Sequence, residues 1–220
     1  MTDYVSQYAK AVLSGKITAS RKIIKTYQHL RNEIEKPSGI YQFDEKRGGH
    51  VITFFEKYLR HSQGKWGGQL IKLELWEKAM LQAAFGFVDP DGYRQYQRVI
   101  LIIGKKNGKS FISSGIGLYL LMADGEAGPQ IYSVATSRDQ AKIVWTEAKR
   151  MRNKADAIRK RTRATVSEIA FDQMDGTFKP LASNADNLDG LNSHGVLMDE
   201  FHQWKNGQRL YNIMADGITA

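Results

Sequence analysis

The segment that constrains this chain most is Gly104-Lys-Lys-Asn-Gly-Lys-Ser110, set between two apolar stretches. Before it, Arg98-Val-Ile-Leu-Ile-Ile103 is rich in β-branched residues and stops at a glycine, which predicts a buried strand. After it, Phe111–Met122 predicts a helix. Gly104 and Gly108 let the backbone turn tightly, so that the N–H groups from Gly104 through Lys105, Lys106 and Asn107 to Ser110 can point inward. A strand, a glycine-rich turn and a helix in that order form a cradle for phosphate oxygens, reinforced by the positive end of the helix dipole. Lys109 is placed to reach terminal phosphates and Ser110 to offer a hydroxyl to magnesium. The standard spacing puts the first glycine at position 103, where this chain has Ile103. The bland alternative is therefore a basic surface turn at a helix start.

A second motif supplies what a phosphate cradle needs opposite it. Gly195-Val-Leu-Met-Asp-Glu200 reads as a hydrophobic strand ending in two acids. Asp199 is expected to hold magnesium, and Glu200 to orient or deprotonate an attacking water. Further strands are expected at Gln130–Ala135, Val166–Phe171 and Phe178–Ala182, with Asp175-Gly176 turning between the last two and a helix over Ser137–Arg152. Strands alternating with helices predict an α/β fold of the P-loop NTPase type, a mainly parallel sheet flanked by helices. Ligands sit at the carboxyl ends of such strands, where both motifs fall. Together the motifs predict a magnesium-dependent ATPase that transfers a phosphoryl group to water, with ATP and Mg²⁺ as ligands.

Ahead of this core, residues 1 to about 60 read as a helical N-terminal extension, with 61–220 as the ATPase core. Val5, Tyr8, Ala9, Val12 and Leu13 share one helical face, and a second helix capped by Thr18 or Ser20 carries Ile23, Ile24, Tyr27, Leu30 and Ile34. Pro37–Gly49 reads as a connector and Val51–Leu59 as a third helix. Gly64–Gly68 reads as a turn, Trp145 as a core residue, and Asn184–Asn192 as a polar loop before the acidic strand.

Composition narrows the partners. The chain has no cysteine, which excludes disulfides and thiolate metal sites, and its five histidines show no pair at zinc-ligand spacing. No stretch is long and apolar enough for a transmembrane helix. The formal net charge is +9, and Arg138–Arg163 alone holds ten Lys/Arg against three Asp/Glu. Such an excess attracts polyanions, nucleic acid first among them, although a solvated helix face has the same composition.

With both motifs placed, the chain resembles the large terminase subunit of tailed bacteriophages, a DNA-packaging ATPase. The resemblance rests on Gly15-Lys-Ile17 with Ala19, on His61, Gly64, Trp66 and Gly68, and on Leu73-Glu-Leu-Trp76 with Phe85-Gly86. It continues through Lys106–Ser110, Ala135-Thr-Ser-Arg-Asp-Gln-Ala141, Asp189–Asn192 and Leu197-Met-Asp-Glu-Phe-His202. It implies an ATP-driven motor domain that moves double-stranded DNA, without sequence preference, into a capsid. It further implies a portal protein and a small terminase subunit as partners, and a homo-oligomeric ring when assembled, with a monomer conceivable in isolation. The place of action implied is the host cytoplasm at the procapsid portal vertex. By the same resemblance Trp76 and Glu77 lie near the adenine, Glu77 standing where the family commonly has glutamine. Lys105 stands where the family often has arginine, and Arg138 or the cluster Arg159–Arg163 supplies a trans-acting arginine. The family's core continues into a coupling motif and a nuclease domain, so nuclease activity is not expected of residues 1–220. Two other readings stay open: an acidic-box helicase-like ATPase, suggested by Asp199-Glu-Phe-His202, and a non-catalytic DNA- or portal-binding assembly module, suggested by Ile103, Lys105 and Glu77.

Overall fold

The computed structural model describes residues 2–135, 137–182, 192–201 and 211. The chain divides into two compact units, residues 1–57 with 72–102 and residues 58–71 with 103–220. The expectations that fell on Asn184–Leu191, His202 and the other residues outside that set are not covered by the structural description.

The first unit is mainly helical: α1 (Tyr4–Leu13), α2 (Arg21–Glu35), α3 (Glu45–Tyr58) and α4 (Leu75–Gly86), with a short antiparallel pair β1 (Gln42–Phe43) and β2 (Phe87–Val88). Asp3 caps α1 by accepting from Ser6 N at 2.8 Å, and Ser20 caps α2 by accepting from Ile23 N at 3.3 Å. Each cap satisfies an N–H that the first helical turn would otherwise leave unpaired. Val5, Tyr8, Ala9 and Val12 bury one face of α1 in a core with Tyr27, Leu30, Ala79, Ala83 and Phe87. Tyr8 and Tyr27 meet edge to face, with ring centroids 4.6 Å apart. Gln82 of α4 is fully buried; its Oε1 accepts from the backbone of Tyr4 (2.7 Å) and Val5 (3.2 Å), and its Nε2 donates to Thr2 O (2.9 Å). One amide thus satisfies the start of α1 inside a low-dielectric core, where unpaired N–H groups are costly.

Two elements depart from the sequence pattern. Helix α3 starts at Glu45 and takes in Gly48 and Gly49, which read as connector. Gly48 is there for proximity: a Cβ on it would lie 2.7 Å from Gln82 O of α4. The second departure is the strand expected at Arg98–Ile103. The structure shows no strand there; Val99, Ile100 and Ile102 are 53%, 86% and 89% exposed. A β-branched run favours extended backbone, but a strand also needs a neighbour for its ladder, and among the described residues none pairs with it.

The second unit holds a five-stranded sheet. Its strands are β3 (Gln130–Ala135), β4 (Arg163–Ala164), β5 (Ile169–Phe171), β6 (Gly176–Ala182) and β7 (Gly195–Met198), in the order β4-β5-β6-β3-β7. The centre is parallel: β3 pairs with β6 on one side and with β7 on the other. Strands β5 and β4 extend it antiparallel; of the strand expected at Val166–Phe171 only Ile169–Phe171 forms, and Val166 is solvent-exposed outside it. Helices α5 (Lys109–Met122) and α6 (Arg138–Lys154) pack against this sheet and each other. Short α7 (Asp156–Arg159) follows. Trp145 of α6 is core, as its periodicity indicated, and its Nε1 donates to Phe178 O at 3.1 Å. Among the described residues, no helix is long and apolar enough to cross a membrane.

Candidate active site

The 104–110 segment is a turn that runs directly into α5, whose first residue is Lys109. Gly108 caps the helix with φ +81°, a left-handed conformation that costs glycine little. Lys106 also has positive φ (+64°). Asn107 Nδ2 donates across the turn to Gly104 O at 3.2 Å, which holds the loop in its curled form. Behind it, Ser114 Oγ lies 2.6 Å from Ser110 O and 2.7 Å from Val144 O, fastening the first turn of α5 to α6.

Strand β7 brings the acids to the same place. Asp199 N donates to Val134 O at 3.0 Å, so the end of β7 is held in register with β3 up to the acid pair. Glu200 N then donates to the Asp199 carboxylate at 3.0 Å, and Glu200 has φ +49°, a turn that swings its side chain off the strand direction. Lys109 Nζ lies 3.0 Å from Asp199 Oδ1 and also donates to Glu200 Oε1. The Glu200 bond raises the Lys109 pKa most, Asp199 adds to it, and partial burial opposes both. The lysine is therefore a firmly protonated cation in contact with both acids.

The loop and Glu200 border a cleft of about 710 Å³. That is within the usual range for small-molecule sites. Gly104, Lys105, Lys106, Gly108, Lys109, Ser110 and Glu200 line it. The donor set suits a magnesium–nucleotide: curled backbone N–H groups and a lysine for phosphates, a hydroxyl and an aspartate for a hard cation, and a second carboxylate beside them.

The structure also adds residues that sequence reasoning missed. Asp139, Lys142, Ile143, Thr146, Glu147 and Arg150 of α6 line the cleft, and Gln63 and Phe111 complete that side. The positions on α6 recur at helical spacing, so the stripe was legible, but it read as an outward charged face. Nothing in its periodicity says that the phosphate loop lies opposite.

Trp76 and Glu77 belong to the first unit. There Trp76 packs on the helical core. The Glu77 carboxylate accepts from Glu74 N at 2.7 Å in a capping box, and burial raises its pKa. Arg138 opens α6, directly after the capping residue Ser137. Arg159 pairs with Asp156 at 2.9 Å and Arg163 with Asp172 at 3.1 Å.

Comparison with known proteins identifies relatives of the chain. A family model described as the terminase large subunit ATPase domain matches residues 75–220. The large terminase subunit of enterobacteria phage HK97 is 30% identical over 176 residues, covering 79% of this chain and 33% of that protein. The crystal structure of the HK97 bacteriophage large terminase is similar with a TM-score of 0.62 and 27% identity, over 79% of this chain and 34% of that one. The chain thus spans about a third of the length of these relatives.

Proposed function

We propose, from the premise that this chain belongs to the terminase large subunit ATPase-domain family, that it hydrolyses ATP with magnesium to drive double-stranded DNA into a capsid. One observation carries the reading: Lys109 at the start of α5 touches both Asp199 and Glu200 at the end of β7. Two motifs separated by some 90 residues meet at one point, at the carboxyl end of a parallel strand pair.

In this reading the N–H groups of 104–110 and the Lys109 ammonium bind the phosphate chain. Ser110 and Asp199 hold magnesium, which supplies neutralisation of the charge that builds up on the phosphoryl oxygens. Glu200 orients a water and takes its proton as the water oxygen bonds the terminal phosphorus and the bond to the leaving ADP oxygen breaks. Lys109 has to exchange its carboxylate partners for phosphate oxygens when nucleotide binds. Arg138 or the Arg159–Arg163 cluster supplies a cation to a neighbouring subunit of an assembled ring. The portal protein and small terminase subunit are the partners in this reading, at the portal vertex. The basic α6–α7 region contacts DNA phosphates.

Lys109→Ala tests the reading. It should weaken ATP binding and hydrolysis together, because one side chain serves both ground state and transition state. Unchanged nucleotide affinity would remove the phosphate loop from the account.

A further inference from the structure

Between Asp3 and Glu33 the chain holds six Lys/Arg and no Asp/Glu. Several exposed cations elsewhere in the chain sit beside an acid: Arg47 with Asp44, Lys142 with Asp139, Arg159 with Asp156 and Arg163 with Asp172. Within the acid-free stretch only Arg31 reaches one, Glu35 at 2.7 Å. The other five, Lys10, Lys16, Arg21, Lys22 and Lys25, are all exposed, and none makes an ion pair among the described residues.

The fold gathers these five at one end of the α1–α2 pair. Lys10 stands in the last turn of α1. Ile17 N donates to Ala11 O at 3.0 Å, which folds the connection carrying Lys16 back onto that turn. The Tyr8–Tyr27 ring contact sets the two helices side by side, and Lys10 and Lys25 both lie on its turn side. On α2, Arg21, Lys22 and Lys25 fall within about 100° of arc, opposite the buried Tyr27 and Leu30. Arg21 and Lys25 are like charges at i,i+4, a spacing that weakens a helix. A polyanion laid across them removes that repulsion.

We propose that this end of the first unit is a docking surface for the backbone of duplex DNA. The inference extends the DNA-binding part of the proposed function from the α6–α7 region to a second patch of cations. Duplex DNA carries one negative charge per about 1.7 Å of its axis, so a cluster of unpaired cations gains by releasing its counterions. Four of the five are lysines, point charges without the planar fork that reads base edges. The patch therefore holds DNA without sequence preference.

The test is titration of a short random-sequence duplex across a salt series. It compares the parent, a variant combining Lys10→Gln, Lys16→Gln, Lys22→Gln and Lys25→Gln, and a variant with the same four changed to arginine. Glutamine keeps a long side chain and a good helix propensity, and circular dichroism checks the fold. The slope of log K against log salt should become shallower by about three to four in the glutamine variant, with affinity at low salt down on the order of tenfold or more. The arginine variant should keep the parent slope. An unchanged slope in the glutamine variant would overturn the inference and leave the α6–α7 contacts standing. An equal loss in the arginine variant would overturn it too, because charge would not be what binds. Polyglutamate that binds the parent as tightly per charge as the duplex, and loses that affinity in the glutamine variant, would assign the patch to an acidic protein instead. A parent that binds no duplex would sink this inference together with the DNA-binding part of the proposed function.

Discussion

Replacing Glu200 with glutamine separates binding from chemistry at the centre of this site. Glutamine keeps the size and the hydrogen-bonding oxygen but cannot take a proton from water. Loss of a positioned general base costs about 10²- to 10⁴-fold in turnover, roughly 3–5 kcal/mol of barrier. Binding responds differently. Lys109 is shared between Glu200 and Asp199, and the Lys109 and Glu200 side chains are 33% and 37% exposed. An ion pair that open to solvent is worth at most about 1 kcal/mol. Glu200→Gln releases Lys109 from that partner while Asp199 still holds it at 3.0 Å, so ATP affinity should hold or tighten by no more than about fivefold. The assay is ATP affinity by displacement of a fluorescent nucleotide, beside phosphate release on the same preparations. A fall in affinity as large as the fall in turnover would refute the reasoning, because Glu200 would then be part of the binding site and not the acceptor of the proton. Undiminished turnover would refute it equally.

Other consequences follow from the same contacts. Trp145→Phe deletes the buried donor to Phe178 O and should cost about 1–3 kcal/mol by urea titration; an unchanged midpoint would show that the indole N–H does not matter. Burial holds the Glu77 pKa above its ordinary value, so the folded state binds a proton more tightly than the unfolded one and stability falls as pH rises from about 4.5. Glu77→Gln keeps the capping box and removes that titration, so the variant should gain on the parent between pH 4.5 and pH 7; parallel pH curves would contradict this. Exposed Lys160 and Arg161 lie in the basic region after α7. Duplex DNA of random sequence should bind with log K falling linearly in log salt, and replacing both residues should reduce the slope by about two; a salt-independent affinity would remove phosphate contacts from the account.

Part of the fold and the meeting of the two motifs were legible in the sequence. Gly104–Ser110 and Asp199–Glu200 carry their chemistry in residue type and local order, so the meeting of Lys109 with both acids could be expected. Trp145 and the α1 stripe followed from helical periodicity, except at the last stripe position, Leu13, which is exposed. Arg98–Ile103 misled because its composition shows a preference for extended backbone and says nothing about a pairing partner. Gly48 and Gly49 misled in the opposite sense: glycine marks breaks in a lone sequence, yet here it serves the close approach of α3 to α4. The α6 wall of the cleft was hidden because a charged helical stripe looks the same whether it faces solvent or a ligand.

The central claim is tested most directly by phosphate release from ATP by this chain, with magnesium and with a chelator, over a range of protein concentration. The account predicts release that requires magnesium, with a specific rate that climbs with concentration as neighbouring subunits complete the site. A chain that neither binds Mg·ATP nor releases phosphate at any concentration would contradict it.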